Sequence, residues 1–215
     1  MDLALFDLDH TLLNGDSDHG WGVFLGDLGV VDAEEQNEKQ DYFYQEYRHG
    51  RLDMQAFLEF QLAPLAQFPK EQLHQWRAQY VDQIIKPMLA DGKPELLLPH
   101  RGAGDELVIV TATSDFITRP IADLLGVDHL IATQVEVVDG EYTGKPYGTP
   151  SFREGKVTRV NQWLSEQQQT YSKTYFYSDS INDLPLLEQV DVPIAVTPDE
   201  PLRMHAQRLH WKIID

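Results

Sequence analysis

Residues 3–12 read Leu3-Ala4-Leu5-Phe6-Asp7-Leu8-Asp9-His10-Thr11-Leu12. Four apolar residues that stop at a carboxylate suit a short strand buried on both faces, as in a parallel sheet. Similar runs recur at Leu107-Val108-Ile109-Val110, Leu130-Ile131-Ala132, Tyr175-Phe176-Tyr177 and Pro193-Ile194-Ala195-Val196. Helical patterns separate the later runs, over 115–125, 154–168 and 183–190. Strands alternating with helices imply right-handed crossovers, and hence an α/β fold whose parallel sheet is covered on both faces.

The stretch from Gly15 to about residue 99 breaks this alternation and holds no convincing strand. Asp32 can cap a helix that carries Tyr42, Phe43, Tyr44 and Tyr47 and ends near Gly50. Asp53 can cap a second helix through Phe57, Leu58 and Leu62, stopped by Pro64. A third pattern runs from Pro69 through Leu73, Trp76, Tyr80 and Ile84 to Pro87. The expected organisation is therefore a core of residues 1–14 and 100–215, with residues 15–99 as a helical insert over the sheet's carboxyl edge. Residues 135–142 alternate around Asp139-Gly140 and predict a hairpin.

The chain's 215 residues fit one domain with such an insert, and 42% hydrophobic with 24% charged residues is ordinary globular composition. It contains 0 cysteines, which excludes disulfide scaffolds, thiolate metal sites and cysteine nucleophiles. Seventeen Lys+Arg against 35 Asp+Glu give a formal charge of −18. That field repels nucleic acid and anionic membranes, so neither is an expected partner. No window approaches the roughly 18 apolar residues of a membrane span. Asp2 and Asp7 interrupt any signal-peptide reading, so a cytoplasmic protein is expected. An anionic substrate would need a local reversal of potential, for which a divalent cation is the natural device.

Ligands of open parallel sheets bind outside the carboxyl ends of the strands. There the sequence puts Asp7 and Asp9, then Thr111-Ala112-Thr113-Ser114, then Ser178-Asp179-Ser180-Ile181-Asn182-Asp183, with Lys156 opening the preceding helix. So many acids on one edge call for a counter-charge, and a hard, oxygen-seeking Mg²⁺ is the economical one. Asp7 can attack phosphorus and form an aspartyl-phosphate. Asp9, two residues on, projects to the same side of an extended chain and can serve as acid and then base. Thr111 and nearby backbone N–H groups, that of Ala112 included, can hold phosphoryl oxygens together with Asn182, while Lys156 neutralises charge. Asp179 and Asp183 can anchor the metal directly or through water.

In order, Asp7-x-Asp9-x-Thr11, Thr111 after an apolar strand, Lys156, and Asp179-x-x-Asn182-Asp183 resemble the four motifs of the haloacid dehalogenase superfamily of aspartate-nucleophile phosphatases. The resemblance implies a Rossmann-like core. It also implies Asp7 as nucleophile, Asp9 as acid/base, and Mg²⁺ held by Asp7, the Asp9 backbone carbonyl and Asp179. The insert's position resembles the helical cap of the phosphoserine phosphatase-like branch. One departure is that Ser178 and Ser180 stand where the family usually has glycine.

Within that branch an acid shortly after the first motif binds a substrate amine, and a cap arginine binds a carboxylate. Asp16 stands at the acid's place, with Asp18 beside it, and a short ungapped alignment puts Glu59 near the arginine's. An anion there would repel a carboxylate. The expected partner is therefore a small phosphorylated metabolite carrying a cationic amine and no carboxylate. Histidinol phosphate fits, with its imidazole stacked on Trp21, Phe24 or Tyr44, and similar bacterial proteins act in histidine biosynthesis. Phosphoserine or another small metabolite is the alternative, with Arg51 sliding into the carboxylate role. A receiver-like phospho-accepting signalling domain is an alternative of another class. Asp16 and Asp18 also read as turn or capping residues after Gly15, and Trp76 and Tyr80 as core. The sequence gives no oligomeric state.

Overall fold

The computed structural model describes residues 1–215. Strand β1 (Leu3–Phe6) is followed by helices α1 (Ser17–Asp27), α2 (Ala33–Arg48), α3 (Met54–Leu62), α4 (Lys70–Tyr80), α5 (Lys86–Ala90) and α6 (Leu98–Ala103) before β2 (Glu106–Ser114) begins. The chain then runs α7 (Asp115–Leu125), β3 (His129–Val138), β4 (Glu141–Tyr147), α8 (Glu154–Glu166) and β5 (Thr174–Ser178). It closes with α9 (Leu184–Leu187), β6 (Val192–Val196), α10 (Glu200–Leu209) and β7 (Lys212–Ile214).

The strands form one seven-stranded sheet in the order β4-β3-β2-β1-β5-β6-β7, parallel except for the β3–β4 pair. β1 is central because all of it is apolar. Leu3 and Leu5 enter one buried cluster with Val108, Val110 and Phe176, whereas Ala4 and Phe6 enter the other. That second cluster also contains Trp21, Phe24, Leu58, Leu73 and Tyr80 from the helices between β1 and β2, so sheet face and insert share one apolar interior. From β1 the chain steps to β2 on one side and later to β5 on the other. The ligand crevice of such a sheet lies where the strand order reverses.

Several expectations from the sequence change in detail. The hairpin forms, with φ of 51° at Asp139 and 88° at Gly140, the left-handed pair that a tight turn between twisted strands needs. It is not a separate excursion, however, because its first arm is the continuation of β3. The helix expected to stop at Pro87 instead widens into a π turn over Val81–Ile85 and resumes, with Pro87 in the first turn of α5 where its missing N–H is harmless. The 183–190 pattern yields only the short α9. Asp16, Asp32, Asp53 and Asp199 cap α1, α2, α3 and α10 by accepting backbone N–H bonds. No helix is long and apolar enough to cross a membrane.

Candidate active site

A cleft of about 1260 Å³ lies over the carboxyl ends of β1, β2 and β5 and is closed above by α1, α2 and α3. Asp7 follows β1 directly, and its backbone N–H donates to the Tyr177 carbonyl of β5 at 2.9 Å. The next residues turn sharply. Leu12 and Leu13 both donate to the Leu8 carbonyl, and His10 adopts a left-handed φ of 58°. That turn brings the two carboxylates of the motif onto the cleft floor, while the His10 side chain is exposed.

Lys156, buried on α8, donates from Nζ to Asp7 Oδ1 and to Asp183 Oδ2, each at 2.7 Å. Ser178 Oγ donates to the same Asp183 oxygen at 2.7 Å. Burial alone would strip the lysine's proton, but Asp183 and Asp7 outweigh it and hold the ammonium charge above its ordinary range. Burial pushes Asp183 up to about 6, with Lys156 opposing the rise and Asp7 adding to it. Thr11 Oγ1 lies 3.4 Å from both Asp7 Oδ2 and Asp179 Oδ1, so these carboxylates, distant in sequence, flank one hydroxyl. Asp179 is held well above the usual carboxylate range by burial, then by Asp7 and Asp183.

Three carboxylates thus share one lysine, and the lysine's bonds go to Asp7 and Asp183. No three acidic or imidazole side chains are arranged to enclose an ion by themselves. A hydrated divalent cation that keeps several waters suits this sparse set, and it would relieve the repulsion around Asp179. Asp7 and Asp179 are the residues that could hold it, with the Asp9 backbone carbonyl and Asp183 through water.

Asp9 has different surroundings. Ser17 N–H donates to Oδ1 at 2.6 Å and Thr113 Oγ1 donates to Oδ2 at 2.8 Å. Burial first, and Asp16 second, push its carboxyl up to about 7, where it can both give and take a proton near neutrality. Thr111 Oγ1 accepts from Thr113 N–H at 3.2 Å, leaving its own proton free for a ligand oxygen. Around it the β2–β3 register slips, Val110–Ser114 facing only Ile131–Thr133, so Ala112 and its neighbours leave regular pairing. Asn182 is buried in the cleft wall, where its Oδ1 accepts from Arg153 at 2.9 Å.

The insert's expected contacts are only partly brought together. Asp16 lines the cleft but uses Oδ1 to cap α1 through Asp18 N–H and His19 N–H. Asp18 also lines it and is buried. Glu59 is exposed, accepts from Gln55 at 3.0 Å and lies outside the cleft, so the short alignment that placed it there does not hold in space. Arg51 pairs with Glu46 at 2.7 Å, also outside; Arg48 instead lines the cleft. Trp21 and Phe24 are core residues packed on Tyr80, which leaves Tyr44 as the cleft aromatic among those expected to stack. Sequence reasoning missed Thr113, Ser178, Arg153, Tyr47, Gln40 and Gln61. Ser178 and Thr113 carried the signal of position, since both end strands that deliver catalytic groups.

A hydrolase with its acidic cleft over the carboxyl edge of an α/β sheet is the class this fold and site define. A family model for haloacid dehalogenase-like hydrolases matches residues 4–188, and the chain belongs to that family of enzymes. It is 46% identical over 217 residues to a histidinol-phosphatase of Neisseria meningitidis serogroup C (strain 8013), covering 99% of this chain and 98% of that one. A solved structure of a protein of unknown function from Bordetella pertussis Tohama I is similar at TM-score 0.93 and 46% identity, covering 100% and 98% of the two chains. A phospho-aspartyl intermediate analogue of phosphoserine phosphatase shares the fold at TM-score 0.70 and 20% identity, covering 99% and 92%. Membership in a hydrolase family sets aside the receiver-like alternative.

Proposed function

We propose that this chain is a Mg²⁺-dependent phosphomonoesterase that hydrolyses histidinol phosphate in cytoplasmic histidine biosynthesis, with residues 15–99 acting as its cap. The observation that carries the chemistry is the division of labour between two carboxylates two residues apart. Asp7 is bonded to the Lys156 ammonium, while Asp9, pushed up to about 7, can hold a proton. Support for the substrate comes from the full-length relative named as a histidinol-phosphatase and from the acidic, aromatic lining that Asp16, Asp18, Phe43 and Tyr44 give the cleft.

Asp7 attacks phosphorus, forming a carboxyl O–P bond as the bond to the alkoxide breaks. Asp9 gives its proton to that alkoxide and, now ionised, takes one from a water whose oxygen attacks the phosphoryl group. Phosphate leaves, and Asp7 is restored. The Thr111 hydroxyl, Asn182, Lys156 and backbone N–H groups at Ala112 hold the equatorial oxygens. Asp7 and Asp179 would hold Mg²⁺, which would supply charge neutralisation for carboxylates that otherwise repel. The Tyr47 hydroxyl donates to Ser180 Oγ at 2.7 Å, and Arg153 donates to the Gly50 carbonyl at 2.8 Å. These bonds tie the end of α2 to the loop after β5 and to the start of α8, which pins this side of the insert to the core.

A phosphate-release assay over histidinol phosphate, phosphoserine and p-nitrophenyl phosphate, with Mg²⁺ or with EDTA, tests this reading. Histidinol phosphate should give the highest kcat/KM, and EDTA should remove the activity. A higher kcat/KM for phosphoserine would assign the cleft to a carboxylate-bearing substrate, for which Arg48 at the cleft wall is the available guanidinium.

A further inference from the structure

We propose that Asp18, Gln40 and Gln61 form a recess that reads a flat, N–H-bearing ring at the end of the substrate remote from its phosphate. On the reading above, on which this inference rests, that ring is an imidazole. All three side chains line the cleft, and they are 7%, 5% and 5% exposed. Asp18 Oδ1, Gln40 Oε1 and Gln61 Oε1 are buried acceptors without a hydrogen-bond partner, although the Gln61 side chain acts on the Asp18 carboxyl as a neighbouring donor. Folded proteins leave few such atoms, and three on one wall of a binding cleft indicate an occupant that brings donors.

The orientation of both amides is dictated by their surroundings. Gln61 Nε2 donates to the Asp18 carbonyl at 2.6 Å and Gln40 Nε2 to the His19 carbonyl at 3.1 Å, adjacent acceptors on α1. Reversing either amide would press oxygen on oxygen, so the acceptor ends must face away from those carbonyls. Gly22 gives the same wall its space. A Cβ there would lie 2.0 Å from Gln40 Nε2 and 2.5 Å from Gln36 Nε2, so α1 tolerates a helix-weakening glycine to admit the glutamines.

The rest of the recess suits a ring. Phe43 and Phe57 line the cleft with centroids 5.4 Å apart and planes at 71°. These aromatic side chains give the same cleft that holds the three acceptors an apolar surface on which a ring with N–H groups on its rim can lie. Ser17, the neighbour of Asp18, donates to Asp9 at 2.6 Å, so the recess begins beside the group that handles the leaving oxygen. Burial and then Asp16 hold the Asp18 carboxyl well above its usual range, and a cationic ring would give its ionised form a partner.

The test uses Asp18→Asn and Gln61→Met, each checked for folding by its melting curve. The first readout is the ratio of kcat/KM for histidinol phosphate to that for p-nitrophenyl phosphate, whose ring carries no N–H. The second is calorimetric binding of L-histidinol without phosphate. The ratio should fall at least about tenfold in both variants, and histidinol binding should weaken in parallel, as when a buried polar site loses one of its hydrogen-bonding partners. Unchanged ratios in folded variants of an enzyme that prefers histidinol phosphate would overturn the recess alone, leaving its acceptors to ordered water. A wild-type preference for glycerol 3-phosphate, a phosphomonoester without nitrogen, over histidinol phosphate would overturn both readings. A third comparison needs no variant: phosphoethanolamine, with the ammonium but no ring, should show a KM at least about tenfold above that of histidinol phosphate. Equal KM values would contradict the ring-reading role.

Discussion

The floor and the roof of the cleft satisfy their polar groups in opposite ways. On the floor, Asp7, Asp183, Lys156 and Ser178 are bonded to one another at 2.7 Å, and Asp9 is fastened by Ser17 and Thr113. On the roof, Asp18, Gln40 and Gln61 keep acceptor oxygens without a hydrogen-bond partner. A reaction centre needs its groups held before substrate arrives, because reorganisation during the reaction would raise the barrier. A recognition wall does better with groups that only the right ligand completes, since a ligand lacking them leaves the acceptors unpaired. Damage to the floor should therefore act on chemistry and stability, and damage to the roof on choice of substrate.

The largest effect expected is from Asp7→Asn, which removes the nucleophile and should lower kcat by more than about a thousandfold. Lys156 keeps its bond to Asp183 in that variant, so the thermal midpoint should stay near that of the wild type or rise. A kcat within about tenfold of the wild type's would contradict the nucleophile's assignment, and a lowered thermal midpoint would contradict the pairing of Lys156 with Asp183.

Lys156→Met attacks the floor's packing of charge. Two buried carboxylates lose their counter-ion, and breaking a buried pair in this way costs about 3–5 kcal/mol. Urea denaturation in EDTA at pH 8 reads that loss. Without the ammonium Asp183 is pushed above about 6, so the defect should shrink as pH falls from 8 and level off by about 6, where Asp183 of the wild type takes up its proton too. A cost that is the same at pH 8 and pH 5 would show that Lys156 contributes packing rather than charge.

Asp9 supplies a test of intermediate size. Its carboxyl is raised, so the proton it gives the alkoxide is present below pH 7 and lost as pH rises through about 7. The kcat/KM for an alkyl phosphate should therefore fall about tenfold per unit on the alkaline side. p-Nitrophenyl phosphate, whose leaving group needs no proton, should keep its rate there. Matching alkaline limbs for the two esters would rule out Asp9 as the proton donor.

The smallest effect concerns the seam between floor and roof. Tyr47→Phe deletes the hydroxyl bonded to Ser180 but spares every group on the floor. A lost neutral hydrogen bond contributes about 0.5–1.5 kcal/mol, so KM should rise a few-fold with kcat little changed. A large fall in kcat with constant KM would instead place Tyr47 in the chemical step.

The same contrast governs what the residues disclosed before folding. The floor is built at strand ends, and apolar runs stopping at Asp7, Thr111 and Asp179 announce both the strand and its cargo. Asp32 and Asp53 announced helix starts by the same local chemistry. The roof depends on contacts between helices. Gln40 and Gln61 reach carbonyls 21 and 43 positions away, and nothing in a run of polar helical residues marks them out. Glu59 misled for that reason, since linear spacing cannot say which face of α3 turns inward. Gly20, Gly22 and Gly26 lower the helical propensity of α1 and hide it, and Asp16, which reads both as a ligand and as a turn or capping residue, proves to be its cap. The few apolar residues of α10 and β7 give little periodic signal, and Asp199 and Pro201 are the local marks of the helix start.

The central claim is that phosphorus passes through a covalent bond to Asp7. Acid quenching during turnover of histidinol phosphate, followed by borohydride reduction and peptide mass analysis, measures this directly. Reduction of the acyl phosphate should give homoserine at position 7 and at no other carboxylate, and the signal should be lost in Asp7→Asn. Turnover with no modified Asp7, or with the phosphoryl group trapped on Asp9, Asp179 or Asp183, would contradict it.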